Sequence, residues 1–200
     1  MQYSIHRPRS PLSELVDYFR VLRDAPIHAR ERIVPSGTIE LVFNLEEDEF
    51  RIYDPATTRE SCRRFRGALV SGCYSAAFEI DTREHASVVG MHFRPGGAAG
   101  LLGAALPGEI ADAHVGLPDL WGPRANALRE RLCAASDPTQ RFAILEQVLA
   151  ARMPEDSRGR RWSRRRWPSW RDPASRWAAS LGCSASAGVG SSRSSLEPWE

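Results

Sequence analysis

The stretch that most constrains the fold of this chain covers residues 30–45 and reads RERIVPSGTIELVFNL. Every second residue from Ile39 to Leu45 is apolar, and Glu40 and Asn44 fall on the alternate positions. This period of two places the apolar set on one face of a β-strand, which the rest of the domain must cover. Before it, Pro-Ser-Gly separates the strand from another β-prone run and is typical of a turn.

Several more short strands are predicted downstream, at residues 50–53, 65–71, 76–80 and 87–93. The acidic run at residues 46–49 predicts a solvated hairpin tip rather than a metal site, because adjacent carboxylates repel one another and favour water. Short strands separated by turn residues are typical of a β-sandwich or a β-barrel.

Helices are predicted on either side of these strands. The first covers residues 11–23, where a serine–proline start precedes apolar residues at helical spacing. Two more cover residues 123–135 and 138–153, and Asp137 caps the second of these with Gln140 placed for a capping box. Consecutive helices joined by a short loop predict an antiparallel pair. Their surplus apolar face favours either packing on the strands or a contact in a homodimer.

Length and composition set the class of protein. The chain has 200 residues with 42% hydrophobic content, enough for one core with an appendage or for two small domains. No apolar run approaches the roughly 18–20 residues of a membrane span, and the first residues lack the apolar segment of a signal peptide. We therefore expect a cytoplasmic protein without a membrane partner. The 4 cysteines are far apart and form no CxxC, which argues against a disulfide framework or a zinc site.

Charge and composition divide the chain into residues 1–153 and 154–200. The first part carries a net charge of −2 and the second +4, and every basic residue is an arginine. The second part interleaves arginine and tryptophan without a sustained period, and its Ser/Ala/Gly-rich stretch at 184–195 predicts disorder. Interleaved Arg and Trp also suggest a nucleic-acid-binding arm, but we rank this interpretation below a frame-shifted origin of the segment.

Three stretches together resemble the N-terminal sensory domain of AraC-type transcriptional regulators, in the subgroup without a well-defined effector. They are ERIVPSG with ELVFNL at residues 31–45, GMHFRPGGA at 90–98 and LPDLWG at 117–122. The resemblance extends over residues 8–153. It implies a cupin-like β-barrel with trailing helices, followed by a C-terminal pair of helix-turn-helix motifs that binds DNA. The expected fold is mainly β with α: a cupin-like barrel or sandwich, an N-terminal helix, a C-terminal antiparallel helix pair and a disordered tail.

The tail departs from that family pattern. Residues 154–200 show no pattern of two helix-turn-helix units and are too few for the usual pair. The codons that can encode residues 181–200 also permit a different amino-acid sequence when they are read in a shifted frame. That permitted sequence resembles the recognition-helix region of an AraC-type domain. We therefore hypothesise that the tail is a frame-shifted remnant of the DNA-binding domain. DNA binding would then require an intact C-terminal domain that is absent here.

Catalytic and metal chemistry find little support in the sequence. A cupin-type metal site commonly uses an HxH pair, which this chain lacks, and His92 near a strand end and His85 in a turn are isolated. There is no GxSxG motif, Cys73 has no motif partner, and the glycines at 96–97 lack phosphate-binding spacing. We predict no catalytic residue, no metal and no cofactor, so the chain is expected not to be an enzyme.

The candidate ligand-binding residues are Glu40, Asn44 and Arg94. Glu40 and Asn44 share the strand face opposite the apolar set, so they could project into a cavity. Arg94 could receive an acidic effector through bidentate hydrogen bonds, or pair with Glu40 in a structural salt bridge.

The expected function is the sensor and dimerisation portion of an AraC-type regulator, with an unidentified small-molecule effector and with DNA binding lost. The alternative is a free-standing cupin-like small-molecule-binding protein or enzyme.

Overall fold

The structure is a computed structural model, and it describes residues 1–25, 30–54, 61–102 and 109–153. The expectations for the tail at residues 154–200 lie outside these described residues.

Within the described residues, ten strands form two antiparallel sheets. The strands are β1 Gln2–His6, β2 Val16–Arg23, β3 Arg30–Ile33, β4 Glu40–Asn44, β5 Phe50–Tyr53, β6 Cys62–Phe65, β7 Ala68–Ser71, β8 Phe78–Asp81, β9 Val88–Phe93 and β10 His114–Gly116. The six-stranded sheet has the order β1-β2-β9-β4-β7-β10, and the four-stranded sheet has the order β3-β8-β5-β6. The expected mainly β fold is confirmed, but within the described ranges the two sheets do not close into a barrel.

The helix predicted at residues 11–23 is wrong. Only Leu12–Glu14 forms a short 3-10 helix, and β2 follows at once, paired with β1 on one side and β9 on the other. Because β2 is buried on both faces, apolar residues occur at both odd and even positions of the strand. Their spacing therefore resembles that of an amphipathic helix. The preceding strand β1 was not predicted.

The alternation in β4 is confirmed. Leu41 and Phe43 are fully buried in the main core, while Glu40 and Asn44 lie on the opposite face. The turn before β4 does not join two strands of one sheet, however, because β3 pairs with β8 in the four-stranded sheet. The acidic run after β4 likewise connects the two sheets rather than closing a hairpin.

The strand predicted at residues 65–71 corresponds to β7 at Ala68–Ser71, and its first residue, Phe65, is instead the last residue of β6 in the other sheet. The chain turns between them at Gly67, whose φ of +56 is strained for any residue with a side chain. A side chain there would also clash with Arg129 and Asp48. The change of sheet at this glycine explains why a continuous β-prone run does not continue as one strand.

Within the described ranges there are also four α-helices: α1 Gly97–Leu102, α2 Leu117–Trp121, α3 Pro123–Ala134 and α4 Pro138–Arg152. The predicted Asp137 cap is confirmed, since its carboxylate accepts from the Gln140 N–H at 3.0 Å. Arg141 ties α4 back to the end of α3 by donating to the carbonyls of Leu132 at 3.1 Å and Ala135 at 2.9 Å. The helix pair therefore folds back on itself as expected.

The main apolar core lies between the six-stranded sheet and the helices. Its strand residues include Phe19, Leu41, Phe43, Met91 and Phe93, and its helix residues include Leu101, Leu117, Trp121, Leu128, Leu132, Leu145 and Leu149. The opposite face of the same sheet meets the four-stranded sheet, as the His114 ring shows by packing on Phe65 at 5.9 Å and Phe78 at 4.6 Å. The described part of the chain is thus layered as helices, sheet and sheet.

Candidate functional site

A row of polar and aromatic side chains crosses the six-stranded sheet on the face that meets the second sheet. The cross-strand register brings the members side by side: Tyr18 of β2, His92 of β9, Glu40 of β4, Ser71 of β7 and His114 of β10. Directly opposite residues on neighbouring strands lie close enough for their side chains to interact. The space between the two sheets is therefore partly polar, in contrast to the apolar core under the helices.

A buried ion pair is formed by Glu40, the middle member of this row. Arg20, which is 1% exposed, donates from Nη2 to Glu40 Oε2 at 3.1 Å. Gly90 on the neighbouring strand makes room for it, because a Cβ there would lie 2.9 Å from Arg20 Nε. The other carboxylate oxygen of Glu40 lies 3.1 Å from His92 Nδ1. Glu40 thus joins a guanidinium and an imidazole inside the sandwich.

His92 is held as a neutral imidazole. Burial lowers its pKa well below the usual value, and the positive charge of Arg20 acts in the same direction. With Nδ1–H donating to Glu40, Nε2 is the acceptor, and among the described residues this buried atom has no hydrogen-bond partner. Tyr18 stacks on the ring with 4.2 Å between centroids. Burial, followed by the charge of Glu40, raises the pKa of Tyr18, so the phenol stays protonated.

The three ligand-binding candidates from the sequence are not brought together. Glu40 belongs to the buried cluster, whereas the Asn44 side chain accepts from the backbone N–H groups of Glu46 and Glu47 at 3.0 and 2.9 Å and so shapes the turn. Arg94 pairs with Asp17 at 3.0 Å, and therefore not with Glu40 as considered from the sequence.

Sequence reasoning missed Arg20 and the pairing of Glu40 with His92. The sequence did not indicate Arg20 as a site residue because its segment is predicted to be a helix. Read as a strand, the segment places Tyr18 and Arg20 on one face, which is the signal that could have identified them.

The other end of the sandwich opens into a cavity of about 430 Å³. It lies between the edge of β5 and β6 and the segment from Tyr74 to Phe78, and its lining includes Ile52, Arg63, Tyr74, Phe78, Asp54 and Asp112. A volume of this size falls within the range of small-molecule sites in proteins, roughly 300–1,000 Å³.

An aromatic cluster connects the cavity to the polar row. The Tyr74 hydroxyl bonds to His114 Nδ1, and the two rings lie 4.7 Å apart. Burial lowers the pKa of His114 to about 3, and the nearby charge of Arg63 contributes, so the imidazole is neutral. Arg63 Nη2 in turn donates to the Tyr74 oxygen at 3.2 Å. Burial also raises the pKa of Tyr74.

The loop that carries Tyr74 is fixed by its neighbour at residues 109–113. The Asp112 carboxylate accepts from the Ser75 N–H at 2.6 Å and from the Ser75 hydroxyl at 2.9 Å, and these hydrogen bonds lower its pKa. Gly72 allows the two segments to approach, because a Cβ there would overlap the Ile110 carbonyl. The contact between these two segments therefore helps to set the position of Tyr74.

One further side chain of the described part bears on chemistry. Cys73 is half-buried, and burial raises the pKa of its thiol, which disfavours the thiolate.

Within the described ranges, no three His, Cys, Asp or Glu side chains converge as ligands of a metal ion. No helix in those ranges has both the length and the apolar character needed to cross a bilayer.

Comparison with known proteins gives one match. Residues 4–116 match a family described as "Domain of unknown function (DUF6597)", a span from within β1 to the end of β10. No curated protein and no solved structure matches the chain. Since the match covers more than half of the sequence, the chain belongs to the DUF6597 family.

Proposed function

We propose that this chain is the sensor and dimerisation portion of an AraC-type transcriptional regulator, built on a cupin-like domain, and that it has lost specific DNA binding. The three stretches that carry the sequence resemblance are far apart in the chain but adjacent in the fold. β4 pairs with β9, and Leu41, Met91 and Leu117, one from each stretch, lie in the same core. This adjacency supports reading the stretches as parts of one unit.

The observation that carries the sensing role is the bond between Tyr74 and His114. Tyr74 lines the cavity, and His114 is the first residue of β10, which leads directly into α2 and then α3. A ligand that displaces Tyr74 therefore acts on the strand that leads into α2 and α3. Coupling of this kind requires that the ligand favour one of two arrangements of the bond.

A dimer would use a surface other than the one considered from the sequence. The apolar residues of the helix pair, including Leu128, Leu132, Leu145 and Leu149, are buried in the core of the chain itself. Among the described residues, Ile5 on β1 is one of the few large apolar side chains left exposed, and β1 is an edge strand of its sheet. Edge strands can pair with a second chain, so β1 is the surface we assign to dimerisation.

The test compares two proteins made from the same gene: the 200-residue chain, and a version in which the reading frame of the tail is restored. Footprinting on DNA upstream of the gene should show a sequence-specific footprint only for the restored version. Light scattering should give a dimer for both proteins. A specific footprint from the 200-residue chain, or a restored frame that encodes no helix-turn-helix, would overturn the proposal. A monomer that binds small molecules would favour the free-standing binding protein.

A further inference from the structure

Arg63 differs from the other arginines around β5 and β6. Three of these arginines are paired with carboxylates: Arg51 with Glu49 and Glu84, Arg64 with Glu49, and Arg66 with Asp48. Arg63 has no carboxylate within ion-pair distance among the described residues, and its polar contact there is the Tyr74 hydroxyl. Its guanidinium carries five N–H donors, so most of them remain for another acceptor.

The register of the sheet turns Arg63 toward the cavity. Arg63 is paired with Ile52, so both side chains lie on the same face, and Ile52 is buried between the sheets. Arg64, the next residue, points to the opposite face and pairs with Glu49. The cavity therefore has a guanidinium at its wall that is positioned by Tyr74.

The carboxylate of Asp112, although it lines the cavity, is already used. Ser75 donates to Oδ1 through both its N–H and its hydroxyl, and the same hydroxyl lies 2.9 Å from Oδ2. These bonds occupy most of the acceptor positions of the carboxylate. Asp112 thus holds the loop, whereas Arg63 offers the donors that a ligand could use.

The remaining wall suits an apolar body. The Tyr74 and Phe78 rings lie 4.7 Å apart, and Ile52 completes this side of the cavity. Aromatic faces and one aliphatic side chain favour a flat or apolar group. The carboxylates of Asp54 and Asp112 in the lining also disfavour a ligand with two or more negative charges.

We propose that the cavity binds a small monocarboxylic acid with an aromatic or apolar body, its carboxylate on the Arg63 guanidinium and its body against Tyr74 and Phe78. The inference names the effector class for the sensing role proposed above and rests on it. A carboxylate matches the fork of the guanidinium, which allows two parallel hydrogen bonds. Such a ligand would also pack its body against the Tyr74 ring while its carboxylate holds Arg63, and so act on the bond from Tyr74 to His114.

The test uses the full chain and three probes of matched shape: phenylacetate, phenylacetamide and 2-phenylethylamine. Isothermal titration calorimetry should show phenylacetate binding about tenfold more tightly than the amide, with the amine weaker still. Arg63→Gln should remove the preference for the acid over the amide. Arg64→Gln, a neighbouring arginine on the opposite face, is the matched control and should leave binding within about twofold. Tyr74→Phe keeps Arg63 and should change phenylacetate affinity without abolishing the preference.

The proposal is overturned if the amide or the amine binds as tightly as the acid, if Arg64→Gln weakens binding as much as Arg63→Gln, or if none of the probes binds at millimolar concentration. These outcomes are separate from those of the footprinting experiment. Acid binding without any specific footprint from the restored protein would leave this inference standing and refute the regulator. A specific footprint without acid preference would do the reverse.

Discussion

Arg20 and Glu40 form an ion pair of 3.1 Å between the two sheets, and the Arg20 side chain is 1% exposed. A charge at such a depth is sensitive to the loss of an ion-pair partner, because removal of one partner leaves the other desolvated and less well compensated. The pair therefore has consequences for stability that can be measured.

Loss of Glu40 should be strongly destabilising. Glu40→Gln leaves the guanidinium of Arg20 without its carboxylate, and we expect the free energy of unfolding to fall by about 3–5 kcal/mol in urea denaturation. The double variant Arg20→Met with Glu40→Gln should lose less than the sum of the single losses. Strictly additive losses would show that the two residues are not coupled. Arg94→Ala, whose partner is Asp17, serves as the control and should add to Glu40→Gln within about 0.5 kcal/mol.

Gly90 should be needed because of Arg20. A Cβ at Gly90 would lie 2.9 Å from Arg20 Nε and 3.3 Å from its Cγ, and the buried arginine has little freedom to move away. We expect Gly90→Ala to cost about 1–3 kcal/mol of unfolding free energy, as overpacking does in other cores. In the Arg20→Met background the same substitution should cost clearly less. An equal cost in both backgrounds would attribute the effect to the backbone rather than to this contact.

Acid should destabilise the fold through its buried histidines. Burial lowers the pKa of His85 to about 4 and that of His114 to about 3, from an ordinary value of 6.5, and it lowers that of His92 as well. The unfolded chain binds these protons more strongly, so stability is lost as pH falls below about 6.5. Each such histidine contributes about 1.4 kcal/mol per pH unit within that window. His114→Asn should therefore reduce the slope of unfolding free energy against pH by about one proton.

Glu84 provides a contribution of opposite sign. Burial raises the pKa of this carboxyl to about 7 from 4.5, so the folded chain binds the proton more strongly, and the stability this gives is lost as pH rises from 4.5 to 7. Glu84→Gln should remove that opposing contribution. The free energy of unfolding should then fall more steeply between pH 6.5 and 5, by about 1.4 kcal/mol per pH unit, which corresponds to about one proton. Urea titrations at several pH values measure both slopes. A flatter slope in Glu84→Gln would contradict the assignment.

How far the sequence predicts this fold depends on how many faces of each element are buried. β5 and the start of α4 were predicted at their observed positions, since each carries a local signal: a short β-prone run, and the Asp137 cap. β2 was assigned to a helix because a strand buried on both faces shows no alternation. The short edge strand β1 has no periodic signal of its own, and its partner β2 had been misassigned.

The candidate site was less accessible to sequence reasoning than the fold. Glu40 could be placed on the correct face of β4 from its spacing alone. Its partners Arg20 and His92 reach it only through the pairing of β2 with β9 and of β9 with β4, which is a matter of register between distant segments. The link from Tyr74 to His114 spans 40 residues and depends on the pairing of β7 with β10. Local patterns do not encode such contacts.

The arginine-rich tail should give this chain a weak affinity for DNA of any sequence. Residues 154–200 carry 9 arginines and 5 acidic residues, and the tail shows no helix-turn-helix pattern in its sequence. Because binding through phosphates alone releases counterions, affinity should fall by about 10³ between 50 and 200 mM salt if six or so phosphates are neutralised. Fluorescence anisotropy with two unrelated duplexes measures this. Replacing the arginines at 160, 161, 164, 165 and 166 by glutamine should reduce the salt slope by about 4–5, whereas Arg83→Gln on the folded domain should not change it. A tenfold preference for one duplex that persists at 200 mM salt would show that the tail reads sequence, and that specific DNA binding has been retained.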